Sequence, residues 1–409
     1  MEKRKYLNWF IKIYPILKGF TDDLLFYVAI DTLFYTFVKG LSAEQIVFLT
    51  TISSFFSIIF RITLVKIIRK IGNTCSVRLG MGLLLLSAII ITFGPSYFWM
   101  IIGKIIYEIA WVFKDMENVM LKNNLIEMKK ENEYAKVANK GMVVYAFLTF
   151  IVALLSGYLF NINPYLPMYL CIIICVISFI MYFFMKDVSK YNVTITEKVN
   201  FKKIKFSKII CVILISYAIF YGVVTAGQVN TKLLIQYELS GIYQTAKVSM
   251  YLGIVVAASR VARLLGNIFF GKIYYKIKDK SLTFLTSMLF ISFIFIIIGY
   301  FIPGNIFKFI LMSIGFCIIL AVRDPFRLFT QDIILKQTMP EEQQAAISYI
   351  QFARKVGTTI CSLIISAILL RWEMIYVIIG IGALALLEVF ISIRIYSMLE
   401  NNVNKEKNK

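Results

Sequence analysis

Residues 81–92 read MGLLLLSAIIIT, and residues 209–219 read IICVILISYAI. Neither run has the one-sided apolar stripe of a helix on a water-soluble domain. Both are apolar around their whole circumference, as a helix is when lipid is its solvent. The rest of the chain agrees: of its 409 residues 59% are hydrophobic and only 16% charged, with a mean hydropathy of +0.78. A soluble domain carries about a quarter charged residues, so this chain has too few to cover a water-facing surface. Its apolar content also exceeds what one soluble core uses.

A spanning helix needs about 20 mostly apolar residues. That window, cut at Gly, Pro and charge clusters, predicts about twelve spans: 13–38, 44–67, 76–93, 97–121, 141–160, 166–185, 208–233, 246–273, 282–301, 306–335, 345–370 and 372–399. The first is the least hydrophobic. The expected fold class is therefore an all-α integral membrane protein of about twelve transmembrane helices. The longest connection, polar and basic, falls near the middle of the chain. It divides the sequence into an N-terminal six-helix bundle at 1–186, a linker at 187–207 and a C-terminal bundle at 208–409 that ends in a short basic tail.

The net charge of +21 invites a nucleic-acid reading, but the Lys and Arg lie in alternate connections between apolar runs, with no basic stripe and no nucleic-acid-binding motif. With both termini cytoplasmic, the inner connections hold about 27 Lys and Arg against about five outside. The charge is thus a topology signal for a multi-pass protein of the cytoplasmic membrane. The basic start is not followed by a cleavage site, and Asp22, Asp23 and Asp31 interrupt the first apolar run, so this span is expected to stay in the mature protein. Five of six cysteines fall within apolar runs and the chain has no histidine; they read as small core residues, with no metal site and no cofactor expected.

The halves repeat one another weakly. Val65-Lys-Ile-Ile-Arg-Lys-Ile-Gly72 follows the second expected span, and Gly271-Lys-Ile-Tyr-Tyr-Lys-Ile-Lys278 follows the eighth, 206 positions later. Lys114-Asp115 and Arg323-Asp324 form a second pair, 209 positions apart. Such duplication is common in secondary transporters. At these loops the chain resembles the major facilitator superfamily, whose signature G-x-L-x-D-R-x-G-R-R is matched by Ile67, Lys70 and Gly72 in one copy and by Gly271, Ile273 and Lys276 in the other. Arg69 and Tyr275 occupy the family's acidic position, while Val65 and Lys278 replace glycines. The resemblance implies two pseudo-symmetric six-helix bundles in which the first and fourth helices line a central cavity.

An ionisable group inside a span is costly unless it meets a partner or water, so each is a functional candidate. Counted at about 1.5 Å per residue, Asp22, Asp23, Glu108, Arg354 and Lys355 come out near mid-depth. Asp22, Asp23 and Glu108 are candidates for substrate contact or proton coupling, with Arg354 as counter-charge. A second set, Arg69, Lys70, Lys114, Asp115, Glu117, Lys276, Arg323 and Asp324, falls toward the cytoplasmic helix ends. Lys70 is expected to meet Asp115 or Glu117, and Lys276 to meet Asp324; the resemblance implies that such pairs latch an inner gate.

The function these features imply is a secondary active transporter, not an enzyme. It would move a small organic solute by alternating access, coupled to protons and in the export direction. The expected partners are substrate, membrane lipid and protons, with the chain monomeric. A non-transporting sensor or immunity protein on the same scaffold, a membrane-embedded lipid-modifying enzyme and the permease subunit of an ATP-driven system are the alternatives. The missing nucleotide-binding loop, histidine and large extramembrane loop weigh against the last two.

Overall fold

The computed structural model describes residues 2–130, 133–188, 208–277, 280–336 and 343–407. Among these residues the regular structure is helical. In chain order the helices are α1 (Glu2–Thr21), α2 (Leu25–Leu33), a π-helical turn (Phe34–Val38), α3 (Ala43–Phe93), α4 (Tyr97–Lys114), α5 (Met116–Glu127), α6 (Tyr134–Ile162), α7 (Leu166–Phe184), α8 (Lys208–Ser240), α9 (Thr245–Ile277), α10 (Ser281–Phe301), α11 (Asn305–Lys336), α12 (Gln343–Leu369) and α13 (Met374–Lys407).

Ten stretches within these helices are long and apolar enough to cross a membrane. The expected spans 13–38 and 97–121 are not among them, and the reason is charge. Helix α4 places Lys104, Glu108 and Lys114 within 18 residues. The first span carries Lys18, Asp22, Asp23 and Asp31 and is not one helix: its backbone unwinds at Asp22–Leu24 between α1 and α2. The chain is a multi-pass membrane protein whose two least apolar segments bear the candidate carboxylates.

Two expected spans share the 51 residues of α3. Gly72 separates them, with φ 79° and ψ 169°, a backbone region essentially reserved for glycine. This is the glycine that closes the first copy of the repeated loop.

The helices form two compact units. One contains Met1–Leu41, Ile52–Glu197 and Thr245–Ala257; the other contains Ser42–Thr51, Lys198–Gln244 and Ala258–Lys409. Each takes one short piece of helix from the other half of the sequence. Residues 189–207 of the expected linker lie outside the described residues. In the first unit α6 packs on α1, α2 and α7; in the second, α10 packs on α11 and α13, and α8 packs on α11, α12 and α13. Glycines bring α8 and α12 together: a Cβ on Gly357 would collide with the Ala218 carbonyl, and one on Gly222 would lie 2.9 Å from the Gly357 carbonyl. Small residues allow such backbone approach where lipid offers helices no hydrophobic drive to associate.

Candidate functional site

In the first unit the site grows out of the break in the first span. The Thr21 hydroxyl donates to Leu17 O at 2.8 Å, closing the last turn of α1. Asp22, Asp23 and Leu24 then leave helical geometry. The Asp23 carboxylate accepts the Leu24 N–H at 2.8 Å, so it satisfies an amide that the break exposes at the N-terminal end of α2. That end carries the positive pole of the helix dipole and suits a carboxylate. Tyr107 of α4 donates its hydroxyl to the same Asp23 oxygen.

Lys104 stands one helical turn before Glu108 on α4. Its ammonium lies 4.7 Å from the centroid of the Tyr27 ring and 5.2 Å from that of Tyr107, and it sits in the fields of Asp31, Glu108 and Asp23. The Tyr27 and Tyr35 hydroxyls are 3.1 Å apart. The arrangement is a caged cation among three carboxylates and three tyrosines, all in one unit. Cation–π contact and opposite charge offset part of the loss of water around Lys104.

Asp22 turns elsewhere. It pairs with Lys18, one turn back, at 2.7 Å. A second buried pair, Lys114–Glu117 at 2.8 Å, sits where α4 passes into α5, and both Glu117 and Asp22 act on Lys18. The Tyr14 hydroxyl donates to Asn118 at 3.1 Å. Adjacent aspartates therefore do different jobs: Asp22 belongs to a buried ion network, Asp23 to the break. Glu108 is half-buried on α4, next to Tyr107.

Arg354 and Lys355 stand half-buried on α12 in the second unit. The Arg354 guanidinium lies over the Tyr221 ring, 4.8 Å from its centroid. The Tyr221 hydroxyl donates to Arg323 O at 3.2 Å, and Arg323 donates to Gln228 at 3.3 Å. Asp324 is held by Arg263 of α9 through two hydrogen bonds, at 2.6 and 3.1 Å, with Arg327 at 3.9 Å. Pro325 follows within α11. Lacking an N–H, it releases a carbonyl one turn earlier, and the Ala321 carbonyl lies against Gly266 of α9. This stretch thus seats Arg323-Asp324 close to α9.

Of the expected gate charges, Lys70 and Asp115 are exposed. The side chains of Arg69 and Lys276 lie outside the described residues, and with Lys276 its expected meeting with Asp324. The described ion pairs of Glu117 and Asp324 run to Lys114, Arg263 and Arg327.

Two further polar features stand apart from the candidate site residues. Glu388, in the middle of α13, is fully buried and accepts a hydrogen bond from Ser216 of α8. Asp187 accepts from Asn73 and from Asn123, each at 2.9 Å, while its own N–H donates to Thr74 at 2.9 Å. This knot ties the residues after α7 to α3 and α5. Among the described residues no group of three or more Cys, Asp or Glu is placed to hold a metal ion.

Long helices in this order and packing define a major-facilitator-type fold. Three solved structures carry the comparison. A bacterial homologue of the iron transporter ferroportin, solved in an inward-facing state, superposes with a TM-score of 0.73 at 13% identity, covering 96% of this chain and 99% of its own. The nucleoside transporter NupG gives a TM-score of 0.74 at 10% identity, with 96% and 99% covered. A bacterial homologue of the human lysosomal transporter Spinster gives 0.66 at 10% identity, with 96% of each chain covered. No family model matches the chain, and no curated protein is similar to it in sequence.

Proposed function

We propose that this protein is a secondary active transporter that moves a small organic solute across the cytoplasmic membrane by alternating access, coupled to protons and running outward. The observation that carries the reading is the break at Asp22–Leu24, which places Asp23 against Tyr107 and beside Lys104 within one unit. Interrupted spans in transporters put helix ends and polar groups at mid-membrane, where substrate and coupling ions bind. A carboxylate there, balanced between desolvation and a nearby cation, can take up and release a proton as its surroundings change. Asp23 is accordingly the coupling carboxylate, and Glu108 and Lys104 are the charges that set its balance. The buried pairs Lys114–Glu117 and Arg263–Asp324 hold helix ends in register while the units exchange states. Titratable machinery built into a fold shared by a nucleoside transporter and by bacterial homologues of an iron and a lysosomal transporter favours transport over a membrane-embedded enzyme.

The test is accumulation of candidate solutes by proteoliposomes under an imposed proton gradient. Gradient-driven flux of at least one solute supports the reading. Purified, folded protein that drives no gradient-dependent flux across a broad panel contradicts it.

A further inference from the structure

The second unit gathers arginines beyond its structural needs. Arg260 and Arg263 lie one turn apart on α9, Arg323 and Arg327 one turn apart on α11, and Arg354 on α12. Residues three or four apart share a helix face. Short contacts link these faces: Arg263 to Asp324, Arg323 to Gln228, the Arg323 carbonyl to Tyr221 and the Tyr221 ring to Arg354. Arg323 feels the charges of both Arg263 and Arg354. Among the described ion pairs, Asp324 is the one carboxylate that meets any of the five.

Five cations that share one carboxylate among the described ion pairs, on segments that cross a membrane, are an expensive arrangement that further negative charge would relieve. Arg260 makes the deficit concrete: it is 91% buried, yet its Nε has no hydrogen-bond partner among the described residues. The planar fork of a guanidinium matches two oxygens of a carboxylate or phosphate. Arg323 and Arg354 are half-buried, neither sealed in the core nor free in solvent; Gln228 adds a neutral amide donor, and the Tyr221 ring backs the Arg354 guanidinium.

We infer that Arg323, Arg354, Gln228 and Tyr221, with Arg260 and Arg263 behind them, form a binding site for an oxyanion, a carboxylate or phosphate group carried by the transported solute. This deepens the transport reading by naming the chemical class of its substrate, but binding at the site is measurable without transport. A lipid headgroup offers the same chemistry, so the experiment separates the two sources.

Delipidated protein in detergent is titrated at constant ionic strength with inorganic phosphate, phenyl phosphate, benzoate and short-chain phosphatidylglycerol, with chloride as reference. Thermal unfolding and titration calorimetry give the readouts. At least one probe is expected to stabilise the protein saturably. Arg354→Gln and Arg323→Gln are each expected to weaken its affinity at least tenfold, and Arg371→Gln, at an exposed turn, to leave it unchanged. Gln228→Ala removes no charge and is expected to weaken binding about threefold, which keeps the test decisive should an arginine variant fail to fold. Response to the soluble anions assigns the site to a solute; response to phosphatidylglycerol alone assigns the oxyanion to a lipid and removes the link to substrate. No saturable response to any probe, or one that neither Arg354→Gln nor Gln228→Ala alters, overturns the site. Binding without gradient-driven flux would contradict the transport reading and leave the site standing.

Discussion

Tyr107 donates its phenolic hydrogen to Asp23, 84 positions earlier, where the first span gives up its helical backbone. The same carboxylate oxygen takes the Leu24 amide, so one side chain serves both the broken end of α2 and the face of α4. Lys104, one turn before Tyr107, has its ammonium over the Tyr107 ring. Two charged, poorly apolar segments thereby stabilise each other where neither would partition well alone.

Tyr107→Phe removes a hydrogen bond to a buried carboxylate while keeping the ring. Bonds to charged groups are worth about 1.5–3 kcal/mol. Detergent thermal unfolding is expected to show a loss of that order, with Lys104 still caged by two rings. A change below about 0.5 kcal/mol would mean that the contact carries no weight.

Arg263→Ala leaves Asp324 with the Asn267 amide at 3.4 Å and Arg327 at 3.9 Å in a site where Asp324 is 6% exposed. Breaking one side of a buried pair costs about 3–5 kcal/mol. The double variant Arg263→Ala with Asp324→Asn is expected to recover more than half of that, measured as thermal stability. A single variant as stable as wild type would show the pair to be incidental.

Gly357→Ala puts a methyl into the Ala218 carbonyl, whereas a Cβ on Gly380 meets nothing within 4 Å. The first substitution is expected to cost about 1–3 kcal/mol by forcing α8 and α12 apart. The second is expected to be neutral or slightly stabilising, since alanine is the better helix former. Equal effects from the two would remove the close approach as an explanation.

The basic connections predict an orientation with both termini cytoplasmic. In a cysteine-free background, Lys130→Cys is expected to react with an impermeant maleimide in inverted vesicles only, and Gly241→Cys in right-side-out vesicles only. The reverse pattern would invert the topology.

Much of this architecture is legible in the sequence, because lipid demands long apolar runs and these are local. The ten most apolar spans can be read directly, and Gly72 marks the turn between two of them. The first and fourth spans are harder, since the charges that give them interest also lower their hydropathy. Asp23 stands out for its depth, but its partner does not: Tyr107 is one of 24 tyrosines, and only helix packing selects it. Arg263 and Asp324 both read as charges near helix ends. Counting along the chain gives depth but not the face each helix presents, so nothing in the sequence selects Arg263 of α9 as a partner of Asp324. Glu388 and Ser216, 172 positions apart, carry no local signal of their meeting.

The decisive measurement is solute flux into proteoliposomes under an imposed proton gradient, comparing wild type, Asp23→Asn and Asp22→Asn, each checked for folding. Asp23→Asn is expected to lose gradient-driven accumulation at least tenfold while keeping solute exchange at equal pH, and Asp22→Asn to keep gradient-driven accumulation with lowered stability. Asp23→Asn accumulating solute as wild type does would contradict the central claim that the broken first span carries the coupling carboxylate.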